Sequence, residues 1–103
     1  MLYSLKFEWD EEKNKINIRK HRVSFEEAET VFEDKNAVYD YDKSHSTNED
    51  RFIVIGISEE FDRELTVCYC FRGKNDEIIR IISARRATKN EIKLYRKGLL
   101  YEN

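Results

Sequence analysis

The sequence predicts an α+β fold: two N-terminal helices, an antiparallel β-sheet laid out as a meander, and a C-terminal helix. Three observations carry this reading. Two S/T-x-x-E signatures, Ser24 with Glu27 and Thr88 with Glu91, mark helix starts on either side of the chain's centre. Between them, after Asn36, the pattern switches to period two, as half-buried strands require. The strands also follow one another through short turns and do not alternate with helices, which separates α+β from a parallel α/β sheet.

In order, Ser4–Glu8 reads as a short strand in which Leu5 and Phe7 alternate with polar neighbours. Asp10 then serves as the N-cap of a helix reaching about Lys20. Its apolar positions are Ile16 and Ile18, with Trp9 just before it, so its packing face is thin. Ser24 opens the second helix, VSFEEAETVFED, with Phe25, Ala28, Val31 and Phe32 on one side and Glu26, Glu29 and Glu33 on a solvated one. AVYDYD is a short strand, DKSHSTNED a loop, and RFIVIGI, LTVCYCFR and EIIRIISA are strands joined by SEEFDRE and the tight turn GKND. Ile92, Tyr95 and Leu99 form the apolar stripe of the terminal helix.

The 103 residues form one domain in this reading. With 40% apolar residues, 13% aromatics and no proline, the chain can enclose a core, and its 39% charged residues imply a heavily solvated surface. No leader or membrane-spanning stretch is evident, so a cytoplasmic protein is expected. Cys68 and Cys70 share one strand face and read as buried free thiols, and His21 and His45 stand far apart. Neither a structural metal nor a cofactor is expected. The chain also lacks Walker, HExxH and GxSxG motifs.

The net charge of −2 hides an asymmetry. Residues 26–64 carry thirteen Asp/Glu against four Lys/Arg, whereas residues 80–97 carry seven Lys/Arg and the single Glu91. One surface can therefore be cationic although the chain is not. Strict alternation in EIIRIISARR would put Ile79, Ile81, Ser83 and Arg85 on one face and Ile78, Arg80, Ile82 and Ala84 on the other. Arg72 on the preceding strand would then approach Arg80. Two readings stay open for this pair. Either they join acids such as Asp76 or Glu77 in a surface network, or they clamp phosphates with their forked donors. Arg85 and Arg86, beside the start of the Thr88 helix, add to the second reading. His45 is a candidate proton carrier in its loop, His21 a charge at a helix C-terminus, and Tyr95 a core aromatic with its hydroxyl at the edge.

Three stretches, FEWDEEKNKINIRKHRVSFEEAETVF, HSTNEDRFIVIGIS and RIISARRATKNEIKLY, resemble the BrnT family of bacterial type II toxins. The shared motifs are W-D-x-x-K-x-x-x-N-x-x-K-H and R-I-I-S-A-R-x-A, and the resemblance covers nearly the whole chain. It implies a RelE-like fold, RNA cleavage that halts translation, and a BrnA-like protein antitoxin; the RIISAR run and the basic C-terminal charge lead us to expect that cleavage needs no metal. The antitoxin is expected to cover Arg72, Arg80 or the terminal helix. Operator DNA is then expected as a partner through the toxin–antitoxin complex alone. Carried over position by position, the motif residues are Lys20, His21, His45, Arg51, Arg72, Arg80, Ser83, Arg85, Glu91 and Tyr95. Arg51, Arg72, Arg80 and Arg85 are the candidates to stabilise a charged phosphorane, His45 or Lys20 to move protons, and Lys20, His21, Arg86 and Tyr95 to hold RNA. Arg22 stands where relatives commonly have glycine and must avoid or tolerate a left-handed cap. A non-enzymatic regulatory or nucleic-acid-binding module is the competing reading, although no aromatic RNA-binding signature is present.

Overall fold

The computed structural model describes residues 5–101, with the backbone alone for 99–101. Ser4 and the Leu99 side chain of the sequence reading lie outside the described residues. The fold is α+β, with strands β1 (Lys6–Glu8), β2 (Val38–Tyr41), β3 (Phe52–Ile57), β4 (Glu64–Arg72) and β5 (Ile78–Arg86) and helices α1 (Glu11–His21), α2 (Phe25–Thr30) and α3 (Lys89–Tyr101). Strands β2 to β5 are the expected antiparallel meander. The sheet as a whole is mixed, in the order β1-β5-β4-β3-β2, because β1 pairs parallel to β5. That pairing sets Phe7 beside Ile79, where its ring reaches the core.

Helices α1 and α2 cover the sheet face formed by Val54, Leu65, Val67, Tyr69, Ile79, Ile81 and Ala84, closing the core with Val23, Phe25, Ala28 and Val31. α3 packs on the other face, against β2 and β3. The second helix is shorter than expected. After Thr30, whose hydroxyl donates to the Glu27 carbonyl, Val31–Glu33 tighten into a 3-10 turn.

α1 is anchored in an unexpected way. Ile16 and Ile18 are exposed, and the buried side of the helix consists of Asn14 and Asn17. Asn14 accepts from the Phe25 N–H and donates to Glu11 and Glu26. The Asn17 amide donates to the Val23 and Ala84 carbonyls and accepts from the Ala84 N–H. The pairing of β1 with β5 extends to Arg80, so Asn17 satisfies backbone groups further along β5 that have no neighbouring strand on that side. Arg22 takes the left-handed cap conformation (φ 59°, ψ 32°), donating its N–H to the Ile18 carbonyl and Nη1 to the Arg19 carbonyl.

Glu27 forms only half of the capping box expected with Ser24. Ser24 caps its N–H, but its carboxylate turns inward to accept Nε and Nη2 of Arg63 (2.8 and 2.6 Å) and the Ser58 hydroxyl. Burial opposes its charge, and the Arg63 and Ser58 bonds together outweigh that and hold its pKa below the usual value.

Candidate active site

A register shift in the β4–β5 hairpin builds the site. Cys68 pairs with Ser83 but Tyr69 with Ile81, leaving Ile82 as an extra residue. Strict alternation is broken there, so the expected faces are corrected. Arg80, Ser83 and Arg85 share one face with Thr66, Cys68, Cys70 and Arg72, while Ala84 and Arg86 turn with Ile79 and Ile81 to the helix-covered side. The bulge thus gathers on one surface three polar side chains that alternation would have divided. At one end of that surface α3 begins.

The loop after β2 folds a 3-10 turn, Lys43–His45, over this face. It brings the His45 Nδ1 to 2.9 Å from the Asp42 carboxylate, whose side chain is 14% exposed against 67% for His45. The Ser46 hydroxyl fastens the turn by donating to the Asp42 and Arg51 carbonyls and accepting the Arg51 N–H. Beside the pair lies a cavity of about 130 Å³ walled by Arg51, Thr66, Cys68, Ser83 and Arg85. With Nδ1 engaged by a carboxylate, the imidazole is oriented and its Nε2 is left for proton exchange. The Cys68 thiol is pushed up to about 11 by burial and by the Asp42 charge, which disfavours the thiolate at neutral pH.

Four arginines mark this face, and each has a carboxylate partner. Arg85 forms a forked pair with Glu91 (2.7 and 2.9 Å), and Glu91 also accepts from the Thr66 hydroxyl and the Thr88 N–H. Thr88 in turn caps the Glu91 N–H, completing the reciprocal capping box expected at the start of α3. Arg51 donates Nε and Arg72 donates Nη1 to Glu49 (3.3 and 2.7 Å), so one loop carboxylate joins β3 to β4. These bonds, Arg72 first, keep the Glu49 pKa low. Arg80 pairs with Glu8 across the β1–β5 register at 2.7 Å. The partners of Arg72 and Arg80 are thus Glu49 and Glu8, instead of the local Asp76 and Glu77.

His45, Arg51, Ser83 and Arg85 are therefore brought together, Arg72 is tied to them through Glu49, and Arg80 lies further along the same face. The other expected residues are elsewhere. Lys20 and His21 are exposed at the end of α1, in the layer on the opposite side of the sheet, and exposed Arg86 points to that side as well. Tyr95 is 4% exposed, with its hydroxyl donating to Asp34 at 2.7 Å, so it fastens α3 and offers no RNA-facing surface. Asp42 and Glu49 were missed from sequence. The D-x-x-H spacing of Asp42 and His45 was the available signal, whereas Glu49 carried none. Among the described residues no group of three or more His, Cys, Asp or Glu side chains is arranged to hold a metal ion. None of their helices is long and apolar enough to cross a membrane.

Among curated proteins none matches the chain. A family model described as "Ribonuclease toxin, BrnT, of type II toxin-antitoxin system" matches residues 9–91, a span that includes the His45–Asp42 pair, all four arginines and Glu91. The chain belongs to the BrnT family of ribonuclease toxins of type II toxin–antitoxin systems.

Proposed function

We propose that residues 1–103 act as one RelE-like toxin domain that cleaves RNA without a metal ion, halts translation in the cytoplasm and is neutralised by a BrnA-like antitoxin. Operator DNA is engaged through the toxin–antitoxin complex. The observation that carries the cleavage mechanism is the His45–Asp42 pair standing beside Arg51 and Arg85 at one cavity.

RNA carries its own nucleophile, the 2′-hydroxyl. His45 takes the 2′-proton on Nε2 while Asp42 holds Nδ1 and stabilises the imidazolium that forms. The 2′-oxygen bonds to phosphorus, the bond to the 5′-oxygen breaks, and the leaving oxygen takes a proton from solvent water, whose hydroxide is neutralised by the His45 imidazolium, leaving a 2′,3′-cyclic phosphate. Negative charge builds on the phosphoryl oxygens in between, and the fixed guanidinium groups of Arg51 and Arg85 oppose it. Arg72 and Arg80, on the same face, hold neighbouring phosphates. Lys20, His21, Arg86 and Tyr95 have no part in this site.

The test is incubation of the purified protein with single-stranded RNA in excess EDTA. Wild type cleaves, and His45→Ala loses about 10²–10⁴ in rate while keeping its melting temperature. Cleavage abolished by EDTA and restored by magnesium refutes the metal-free mechanism. RNA bound but left intact by wild type favours the non-enzymatic reading.

A further inference from the structure

The helix-covered face of the sheet carries a second surface, made of aromatic rings. Phe52 lies against Tyr69 (5.8 Å between centroids), Tyr41 (5.6 Å) and Phe71 (5.5 Å), and Phe32 joins Tyr69 to Tyr39 and Phe7. The helices leave one end of this strip uncovered, where Tyr39, Tyr41 and Phe71 remain 53%, 46% and 37% exposed. Adjoining rings at this level of exposure mark an interaction surface more often than solvent-facing accidents.

The chemistry beside the rings selects the partner. Phe52 and Phe71 line a groove of about 240 Å³ together with Glu49, Asp50, Asp76 and Arg72. Glu49 and Arg72 neutralise each other at 2.7 Å. Asp50 accepts a hydrogen bond from the Tyr41 hydroxyl (2.9 Å), and neither it nor Asp76 forms an ion pair among the described residues. The groove is left anionic, in keeping with the acidic stretch 26–64. A Lys or Arg side chain is suited to it, with its alkyl stem and charge over the rings and its donors on the two carboxylates.

We infer that this groove is the docking site for a basic, apolar-anchored segment of the protein antitoxin, which places a Lys or Arg against Phe71 between Asp50 and Asp76 and packs apolar side chains on Tyr41. The inference rests on the type II toxin reading and adds where on the toxin the partner binds and with what chemistry. The rings lie on the sheet face opposite His45, and Arg72 and Glu49 of the His45 face wall the groove as well, so it stands at the end of the sheet where the two faces meet.

The probe is the purified product of the reading frame adjacent to this chain's gene, with binding measured by calorimetry at low and high salt. Asp50→Asn with Asp76→Asn, and separately Phe71→Ala, should each raise its dissociation constant about tenfold or more, as central interface contacts do. The Asn pair should also flatten the salt dependence, and RNA cleavage by the free variants should stay at the wild-type rate. Asn suits both sites, since it can accept the Tyr41 hydrogen bond and adopt the φ of 55° at Asp76. Unchanged binding by the Asn pair overturns the docking site while leaving the toxin reading intact. Loss of RNA cleavage with intact protein binding shows that the groove serves RNA and overturns it too. Failure of the probe to bind wild type overturns both.

Discussion

Replacing Glu91 by Gln tests how tightly the start of α3 is coupled to the cavity. The carboxylate takes four hydrogen bonds, two from the Arg85 fork, one from Thr66 and one from the Thr88 N–H. The Arg85 fork contributes most to holding its pKa down, at about 2 against an ordinary 4.5, although burial pulls the other way. At about 1.36 kcal/mol per pH unit this difference sets a ceiling of about 3 kcal/mol. Arg85 is 42% exposed and the pair is screened accordingly, so about 1–2 kcal/mol is the working expectation. A depressed carboxylate pKa contributes stability above the unfolded value, and that contribution is lost as pH falls through the folded value. Urea unfolding of wild type and Glu91→Gln should therefore differ by about 1–2 kcal/mol near neutral pH, with the gap closing between about pH 4.5 and about pH 2. A gap that is absent at neutral pH, or constant down to about pH 2, refutes the electrostatic account of this junction.

Two further substitutions probe buried polar contacts. Asn17→Ala strands the Ala84 N–H and the Ala84 and Val23 carbonyls, and should cost about 2–4 kcal/mol, checked by chemical denaturation; a loss under about 0.5 kcal/mol shows that water replaces the amide. Arg63→Met leaves Glu27, 1% exposed, without its cation and should cost about 3–5 kcal/mol, read as a large drop in melting temperature, with part of it recovered by adding Glu27→Gln.

The parts of the fold legible in the sequence are those encoded within about ten residues. The period-two runs show β3, β4 and β5, and Thr88 with Glu91 shows where α3 begins, because the residues that define each are near neighbours in the chain. α1 was read as thinly anchored because hydropathy counts Ile16 and Ile18, whereas the helix is held by asparagine amides bonded to backbone up to 67 residues away. The parallel pairing of β1 with β5 is equally non-local. The bulge at Ile82 leaves no mark in IIRIISARR, since an apolar residue serves as well for the extra position as for a face position. For the site, the sequence pointed to His45 and the arginines by residue type. Their carboxylate partners were out of reach: Glu8 lies 72 residues from Arg80, and Glu49 sits in a loop with no periodicity.

Ion pairing of every arginine on the face looks at first like a bar to phosphate binding, but the donor inventory argues otherwise. A guanidinium has five N–H donors. Arg51 gives Glu49 its Nε–H, at 3.3 Å, and among the described residues its Nη groups hold no hydrogen bond. Arg80 gives Glu8 one bond, through Nη1. Arg85 uses two donors on Glu91 and a weak third at 3.4 Å on the Arg86 carbonyl. Each of these three cations can therefore donate to a phosphate oxygen while its carboxylate stays in place. The carboxylate then fixes the plane of the fork before substrate arrives, and less side-chain freedom is lost on binding. Glu49 differs from the others because it serves Arg51 and Arg72 together, so a phosphate bridging those two arginines meets a carboxylate already between them. In the proposed mechanism Glu91 sets the His45 cavity for the scissile phosphate, whereas occupancy of the Arg72 end requires Glu49 to yield.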